Sequence, residues 1–252
     1  MPVVARVPAT RQKLTSWSFS RYKDYTDCPK KAFYKHVARM KEPGNAAMER
    51  GTAIHTLAEQ YVKGVGRTVP KELKLVADTL KMLRGVFKND RGSIIVEDNW
   101  GFTANWDACA WDDWNNCYSR IKLDFAYADV ATLNIGDWKT GKFSTYKLPE
   151  YLLQQELYAL TGLLKFPKAQ TVVPKLYFTD AGVVYPRPET DDPEFVFTRA
   201  DEPKLIKIWA KRIKPMMNDT TFKETPGDAC KFCWYRKNNP DPAAPRNCKY
   251  NG

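Results

Sequence analysis

The chain has 252 residues, enough for one large domain or a core with a small appendage, and 43% of them are hydrophobic. The 40 Lys and Arg residues outnumber the 29 Asp and Glu residues and leave a formal net charge of +11. A polyanionic partner explains this excess most simply, although a soluble basic surface is the alternative. No signal-peptide pattern and no run of about 18 apolar residues occurs, so we expect a soluble cytoplasmic protein without a membrane partner.

The first half of the chain predicts helices followed by strands. Apolar spacing between Trp17 and Met40 predicts two short helices that are interrupted at Cys28-Pro29. Two further helices are predicted over residues 46–62 and 71–87. Strand-like segments follow at 94–96, 102–111, 118–127 and 132–138, and their order predicts an antiparallel meander.

The second half predicts a helix over 148–164, strands at 171–178 and 195–197, and a helix over 203–217. This order is typical of a mixed α/β (α+β) fold with a central mixed sheet flanked by helices. We predict a helical region (1–90), a core of sheet and helices (91–224) and a Cys-rich tail (225–252), all within one compact domain. The tail has too few aliphatic residues for a core of its own, so it needs a staple.

The segment that ends the predicted strand at 132–138 carries Asp137 and Lys139. Side chains two residues apart on a strand project to the same face, so we expect both in one site. A carboxylate is a hard ligand for a divalent cation, and a lysine can orient water and stabilise charge developing on a phosphate. Taken alone, the pair is more typical of a salt bridge in a turn. A phosphate-binding loop is excluded because Phe143 follows Lys142 where Ser or Thr is required.

Asp124 and His55 are candidates to complete such a site. If the strands that carry Asp124 and Asp137 pair as a hairpin, the two carboxylates face each other a few ångströms apart. His55, on the helix predicted over 46–62, offers a neutral imidazole ligand. Each residue also has a plainer interpretation, a strand-edge charge for Asp124 and a hydrogen-bonded core histidine for His55.

Five motifs follow one another along the chain: Ser18-x-Ser20-Arg21 with Cys28-Pro29, Gly51-x-x-x-His55, Asp124, Asp137-Trp138-Lys139-Thr140-Gly141 and Gln154-x-x-x-Tyr158. In this order they resemble the RecB-type branch of the PD-(D/E)XK nuclease superfamily, which includes the AddB subunit and CRISPR-associated adaptation nucleases. One position departs from the family pattern. Ile121 and Lys122 stand where a Gly often precedes the first Asp.

The resemblance implies a restriction-endonuclease-like core in which a Mg²⁺ or Mn²⁺ ion is held by side chains and one carbonyl, namely by His55, Asp124, Asp137 and the Trp138 carbonyl. It implies that Lys139 is the catalytic base or a group that orients water. Gln154 and Tyr158 would position the substrate strand or Lys139, since their four-residue spacing places both on one face of a helix.

Four of the six cysteines form a second pattern, with one near the start of the chain, Cys28, and three near its end, Cys230, Cys233 and Cys248. Clustered cysteines in a reducing compartment predict metal ligands rather than disulfides. Their number fits a [4Fe–4S] cluster and equally a tetrahedral zinc ion, and the resemblance favours iron–sulfur. Either site would staple the tail to the first helix. Cys109 and Cys117 are interpreted as ordinary strand residues.

Four tryptophans lie close together in the sequence, Trp100, Trp106, Trp111 and Trp114. Core packing is expected for most of them, but some could stack on unpaired bases.

Together the patterns predict a metal-dependent DNA exonuclease that acts on single-stranded ends in DNA recombination or repair. The alternatives are a structure-specific endonuclease and a non-catalytic iron–sulfur DNA-binding module of a recombination or adaptation complex. DNA, most simply single-stranded, is the expected partner. No helicase motif occurs in the sequence, so we expect any helicase or recombination protein that unwinds DNA to be a separate partner, and self-association is a further option.

Overall fold

A computed structural model describes residues 13–188 and 190–252 of the chain. These residues form two units, of which one combines the chain up to Pro43 with Ala210–Gly252 and the other is Gly44–Trp209. The division into 1–90, 91–224 and 225–252 within a single domain stays a prediction.

Within the described residues, the larger unit contains a seven-stranded mixed sheet. Its strands are β1 (Ile94–Phe102), β2 (Ala108–Cys109), β3 (Ser119–Asp129), β4 (Thr132–Lys139), β5 (Thr171–Phe178), β6 (Val183–Tyr185) and β7 (Phe197–Thr198). The order across the sheet is β2-β1-β3-β4-β5-β6, and β7 also pairs with β5. β4 and β5 run parallel, whereas the other described pairs are antiparallel.

Helices cover both faces of this sheet, which confirms the predicted mixed α/β fold with a central mixed sheet flanked by helices. On one face, α3 (Ala46–Val62) and α4 (Ala77–Asn89) bury a core that includes Trp138 of β4. On the other, α5 (Leu148–Lys165) packs Gly162 closely against Ile135. Trp138 and Ile135 are an odd number of residues apart on one strand, so they point to opposite faces.

The smaller unit begins with α1 (Phe19–Asp27) and α2 (Pro29–Ala32), which continues into a π-helical turn, Phe33–Val37. The predicted interruption at Cys28-Pro29 is confirmed, because Cys28 is extended and the proline begins a new helix. A last helix, α6 (Glu202–Asn218), starts in the larger unit and ends in the smaller one.

The buried carboxylate of Asp24 organises the first helices of the smaller unit. It lies 2.9 Å from the ammonium of Lys31, 3.1 Å from that of Lys35 and 2.8 Å from the His36 ring. Burial would raise the pKa of Asp24, but the hydrogen bonds from His36 and Lys31 and the nearby positive charges more than offset it, and the pKa is lowered. The buried carboxylate is therefore ionised, and neighbouring positive side chains balance its charge.

Several predicted boundaries differ from the structure. The predicted helix at 71–87 begins as a 3₁₀ segment, Lys71–Val76, before α4. The strand predicted at 102–111 is mostly a loop, because β1 already ends at Phe102 and a turn follows, in which Trp106 has a left-handed φ of 70° and donates its backbone N–H to the Thr103 carbonyl. The segment 195–197 pairs only as Phe197–Thr198, and the short strand β6 was not predicted. Among the described residues, no helix combines the length and apolarity that crossing a bilayer requires.

Candidate active site

The site lies where β3 and β4 separate. Their antiparallel pairing runs from Asp129 opposite Thr132 to Phe125 opposite Gly136, and the next two residues in register are Asp124 and Asp137. Backbone pairing stops there, and Asp124 Oδ2 accepts a hydrogen bond from the backbone N–H of Trp138 at 2.7 Å instead. The predicted hairpin therefore brings two carboxylates together, and both are almost completely buried, with 7% of Asp124 and 3% of Asp137 exposed.

His55 projects from α3 into this gap. Its Nδ1 lies 3.1 Å from Asp124 Oδ1 and 3.3 Å from Glu97 Oε1, and its Nε2 lies 3.2 Å from the Trp138 carbonyl oxygen. Burial would lower the pKa of His55, but the hydrogen bonds to Asp124 and Glu97 outweigh it and raise the pKa to about 10. One ligand atom from each of His55, Glu97 and Asp124 lies within 4.8 Å of the others, a spacing that fits a single cation.

Glu97 is a site residue that the sequence analysis missed. It occupies the β1 position between Val96, which pairs with Phe125, and Asp98, which pairs with Leu123, so it stands opposite Asp124. Its φ of 51° is left-handed, a conformation that costs a residue other than glycine about 1–3 kcal/mol and that clusters at functional sites. An acidic residue after the apolar run 94–96 was visible in the sequence, but only the β1–β3 register places it in the site.

A chain of hydrogen bonds holds Lys139 in place. Its Nζ lies 2.5 Å from Asp137 Oδ2 and donates to Gln154 Oε1 at 3.0 Å. Gln154 Nε2 donates to the Tyr158 hydroxyl at 2.8 Å, and that hydroxyl donates to the Lys122 carbonyl at 2.9 Å. The predicted pair on α5 therefore reaches the site as its four-residue spacing requires, and it anchors the lysine to β3.

Burial sets the electrostatics of the Asp137–Lys139 pair. Burial raises the pKa of Asp137 to about 6, with the Lys139 ammonium opposing the shift and the Asp124 carboxylate adding to it. For Lys139, burial works to lower the pKa, but the Asp137 carboxylate more than offsets it, so the pKa is raised. Gln155, which the sequence analysis also missed, is 1% exposed, and its Nε2 donates to Asp137 Oδ2 at 3.3 Å.

These side chains surround a cavity of about 450 Å³ within the larger unit. The catalytic set predicted from the sequence, Asp124, Asp137, Lys139, Gln154 and Tyr158, lines it together with the predicted metal ligands His55 and Trp138. Further lining comes from Gly51, Thr52, Thr56, Glu59, Glu97 and Lys122. The cavity is large enough to admit a phosphodiester with its neighbouring sugar.

Asp180, just after β5, ties two parts of the site together. Its carboxylate accepts hydrogen bonds from both terminal nitrogens of Arg50 on α3, at 2.8 and 2.5 Å, and from the backbone N–H of Gly141 at 2.7 Å. Gly141 follows β4, and its φ of 94° suits a glycine. Asp180 thus fixes the start of the helix that carries His55 against the end of the strand that carries Lys139.

The four cysteines of the second pattern, Cys28, Cys230, Cys233 and Cys248, line one cavity of the smaller unit. The backbone N–H of Thr225 lies 3.5 Å from the Cys28 sulfur. Burial, and then the charges of Cys248 and other acidic groups, raise the pKa of the neighbouring Tyr34 to about 12. In the described part of the chain, no three cysteine sulfurs lie within 4.8 Å of one another. Cys117 is separate from this cavity, and its thiol donates to the Ser119 carbonyl at 3.4 Å.

Residues 16–124, which are 109 of the 252 residues, match the model of the PD-(D/E)XK nuclease superfamily, so this part of the chain is similar to that superfamily. The matched range ends at Asp124, so it does not include Asp137 or Lys139. The placement of these two residues in the site rests on the geometry described above. No curated protein matches the chain.

Two solved structures resemble the fold. One is a proposed exonuclease from Eubacterium rectale, at 12% identity over 90% of each chain, with a TM-score of 0.46. The other is SSO0001, at 11% identity over 73% of this chain and 94% of that chain, with a TM-score of 0.30. At these scores neither likeness bears on what this chain does.

Proposed function

We propose that this chain is a metal-dependent DNA nuclease that acts as an exonuclease on single-stranded ends, by hydrolysis of the phosphodiester bond. The observation that carries the proposal is the convergence of His55, Glu97, Asp124, Asp137 and Lys139 on one cavity. Carboxylates and a lysine ammonium beside a space for a cation are the groups that phosphodiester hydrolysis needs.

The donor set fits Mg²⁺ or Mn²⁺. His55, Glu97 and Asp124 offer one nitrogen and two carboxylate oxygens close together, and Asp137 and the Trp138 carbonyl add oxygens beside them. Hard oxygen donors suit Mg²⁺, and a histidine in the set suits Mn²⁺ as well. A divalent cation held there would polarise the phosphate and lower the pKa of water.

The remaining side chains of the site hold the Lys139 ammonium in position. Gln154 and Asp137 hold the Lys139 ammonium at fixed distances, so it can face the phosphate oxygens as negative charge develops on them, or orient a water molecule. Tyr158, bonded to the Lys122 carbonyl, in turn orients Gln154. A lysine ordered in this way loses little entropy when the substrate binds.

We also propose that Cys28, Cys230, Cys233 and Cys248 hold a [4Fe–4S] cluster, with zinc as the alternative. The four thiols line one cavity, and four thiolates are the ligand number of a [4Fe–4S] cluster and of a tetrahedral zinc ion alike. The resemblance of the motifs favours the cluster. The N–H of Thr225 beside the Cys28 sulfur is the kind of donor that stabilises a bound thiolate.

Cleavage of labelled DNA tests the catalytic proposal. The full chain, incubated with a single-stranded oligonucleotide and Mg²⁺ or Mn²⁺, should release nucleotides, and chelation should stop the reaction. Asp137→Ala and Lys139→Ala should each lower the rate by roughly 10²- to 10³-fold, as losses of transition-state stabilisation do. Asp129→Ala, which removes an exposed carboxylate from the end of β3, is the control and should keep the rate. Full activity of both site variants would refute the assignment.

Circular single-stranded DNA separates the two kinds of nuclease. An exonuclease leaves covalently closed circles intact, whereas a structure-specific endonuclease cuts them. Metal-independent DNA binding without cleavage of any substrate would instead favour a non-catalytic module of a recombination or adaptation complex. A separate helicase or recombination protein would supply unwinding if the physiological substrate is a duplex.

The absorption spectrum of anaerobically purified protein tests the cluster. A [4Fe–4S] site gives a brown sample with about four iron atoms per chain, and Cys230→Ser should reduce the iron content. Cys109→Ser removes a thiol outside the cavity and should leave the iron content unchanged. A colourless sample with one zinc ion per chain would show that the four cysteines bind zinc and not an iron–sulfur cluster.

A further inference from the structure

One side of β3 leads from the candidate site to a loop that carries tryptophans. Asp124, Lys122 and Arg120 are two residues apart along the strand, so their side chains project to the same side. Lys122 lines the site cavity and its side chain is exposed. The side chain of Arg120 reaches the loop at residues 103–118, where its Nε donates to the Trp111 carbonyl at 3.1 Å.

Arg120 supports an indole that faces solvent. Its guanidinium carbon lies 4.5 Å from the ring centroid of Trp114 and 5.9 Å from that of Trp111. Arg120 is 8% exposed, whereas Trp114 is 77% exposed. The cation therefore holds the Trp114 ring in place while most of the indole stays accessible, which is the arrangement of a stacking platform.

The spacing along β3 suits consecutive nucleotides. At 3.3–3.4 Å per strand residue, Lys122 stands about 6.7 Å from Asp124, and Arg120 about 13 Å. Each two-residue step is comparable to the separation of neighbouring phosphates in an extended single strand. A strand with one phosphate at the metal site would thus bring its next phosphate to Lys122 and a base to Trp114.

The charge of the loop indicates what it can recognise. Residues 103–118 include Asp107, Asp112 and Asp113 and no Lys or Arg, so the loop itself repels phosphates. The Asp113 carboxylate already accepts the backbone N–H groups of Asn115 and Asn116. An uncharged base face remains as the ligand for the exposed indole, and such a face is accessible only when the base is unpaired.

We infer that Trp114 stacks on an unpaired base of the substrate and that Lys122 contacts the phosphate between that base and the metal site. This inference rests on the proposed function. This pair would give the nuclease its preference for single strands.

Binding without added divalent cations tests the inference apart from cleavage. The dissociation constant of the full chain for a fluorescein-labelled single-stranded oligonucleotide would be measured by anisotropy at several salt concentrations, with the matching duplex alongside. Trp114→Ala should weaken single-strand binding by roughly 5- to 150-fold without changing the salt dependence, and should reduce the preference over duplex. Trp114→Phe should retain most of the affinity because it keeps an aromatic face.

Lys122→Ala should reduce the slope of log affinity against log salt by about 0.7, the value for one phosphate contact on a single strand. Lys81→Ala, which removes an exposed lysine from α4, is the charge-matched control and should leave slope and affinity unchanged. The inference fails if Trp114→Ala binds single strands within twofold of the wild type, or if both lysine variants change the slope equally. Cleavage by a Trp114→Ala protein that binds normally would refute the stacking site alone, whereas Trp114-dependent binding without any cleavage would refute the proposed catalysis alone.

Discussion

Adding one methyl group at Gly136, the residue before Asp137, should disturb the core beneath the site. A Cβ atom at this position would lie 1.8 Å from Cζ of Phe125 and 2.3 Å from both of its Cε atoms. The Phe125 ring is 1% exposed and packs against Trp138 and Tyr177 at centroid distances of 4.8 and 5.3 Å. The ring is therefore buried and has aromatic neighbours that resist its displacement.

The size of the effect follows from the required displacement. Carbon atoms in contact sit about 3.5–4.0 Å apart, so the ring or the strand must shift by roughly 2 Å. Overpacking of a filled core costs about 1–3 kcal/mol, and we expect Gly136→Ala near the upper end. For a chain of this length that corresponds to a fall in Tm of roughly 6–12 °C.

Urea unfolding followed by tryptophan fluorescence would measure the loss, and a second substitution tests its cause. Phe125→Leu in the Gly136→Ala background removes the atoms that clash, so the double variant should be more stable than the sum of the two single effects by about 1 kcal/mol or more. Gly85→Ala is the matched control, because a Cβ at this position of α4 meets nothing within 4 Å and helix propensity should make the change neutral or stabilising. Additive effects at Gly136 and Phe125 would show that contact with the ring is not the cause.

Three further outcomes are expected. Asp24→Asn should lower the free energy of unfolding by about 3 kcal/mol near pH 7, because it leaves two lysines and a histidine without their buried counter-charge. Folding lowers the pKa of Asp24, so its contribution is fully present above the ordinary aspartate pKa of 3.8 and is lost as the pH falls towards the lower pKa of the folded state. The difference in unfolding free energy between wild type and variant should therefore stay constant from pH 7 to about pH 5 and shrink as the pH falls below about 4. Glu97→Gln should weaken Mn²⁺ binding at least about tenfold by isothermal titration, whereas Glu59→Gln, which lines the same cavity outside the ligand group, should not. Asp180→Asn should reduce kcat by roughly 10- to 100-fold at an unchanged Tm, and an equal loss in Asp192→Asn, which removes an exposed ion pair, would argue against a positioning role.

Local patterns were sufficient to predict the elements with strong periodicity. The helix predicted over 46–62 is α3 with the same bounds, and the helix predicted over 148–164 is α5 to within one residue. The alternation of side chains along a strand also anticipated that Asp137 and Lys139 share one site, since it depends only on neighbouring backbone geometry.

Local patterns could not predict the residues that reach the site through pairing between distant segments. Glu97 enters only because β1 pairs with β3 in one particular register and kinks at a left-handed residue. Asp180 matters only because it meets Arg50 and Gly141, which are far from it in sequence. The strand predicted over 102–111 is wrong except at its first residue and at Ala108–Cys109, because the strand propensity of its aromatic residues is overridden by the turn at Trp106.

The placement of Gln154 beside Lys139 follows from the length of one connection. β4 ends at Lys139 and α5 begins at Leu148, so the short segment 140–147 keeps the first turns of the helix near the end of the strand. Because α5 then leads into β5, which lies parallel to β4, the helix must run back along the sheet, and its second turn passes over the strand end. Gln154 and Gln155, adjacent in that turn, can therefore bond to Lys139 and Asp137 at once. The crossover connection therefore determines which helix side chains contact the Asp137–Lys139 pair.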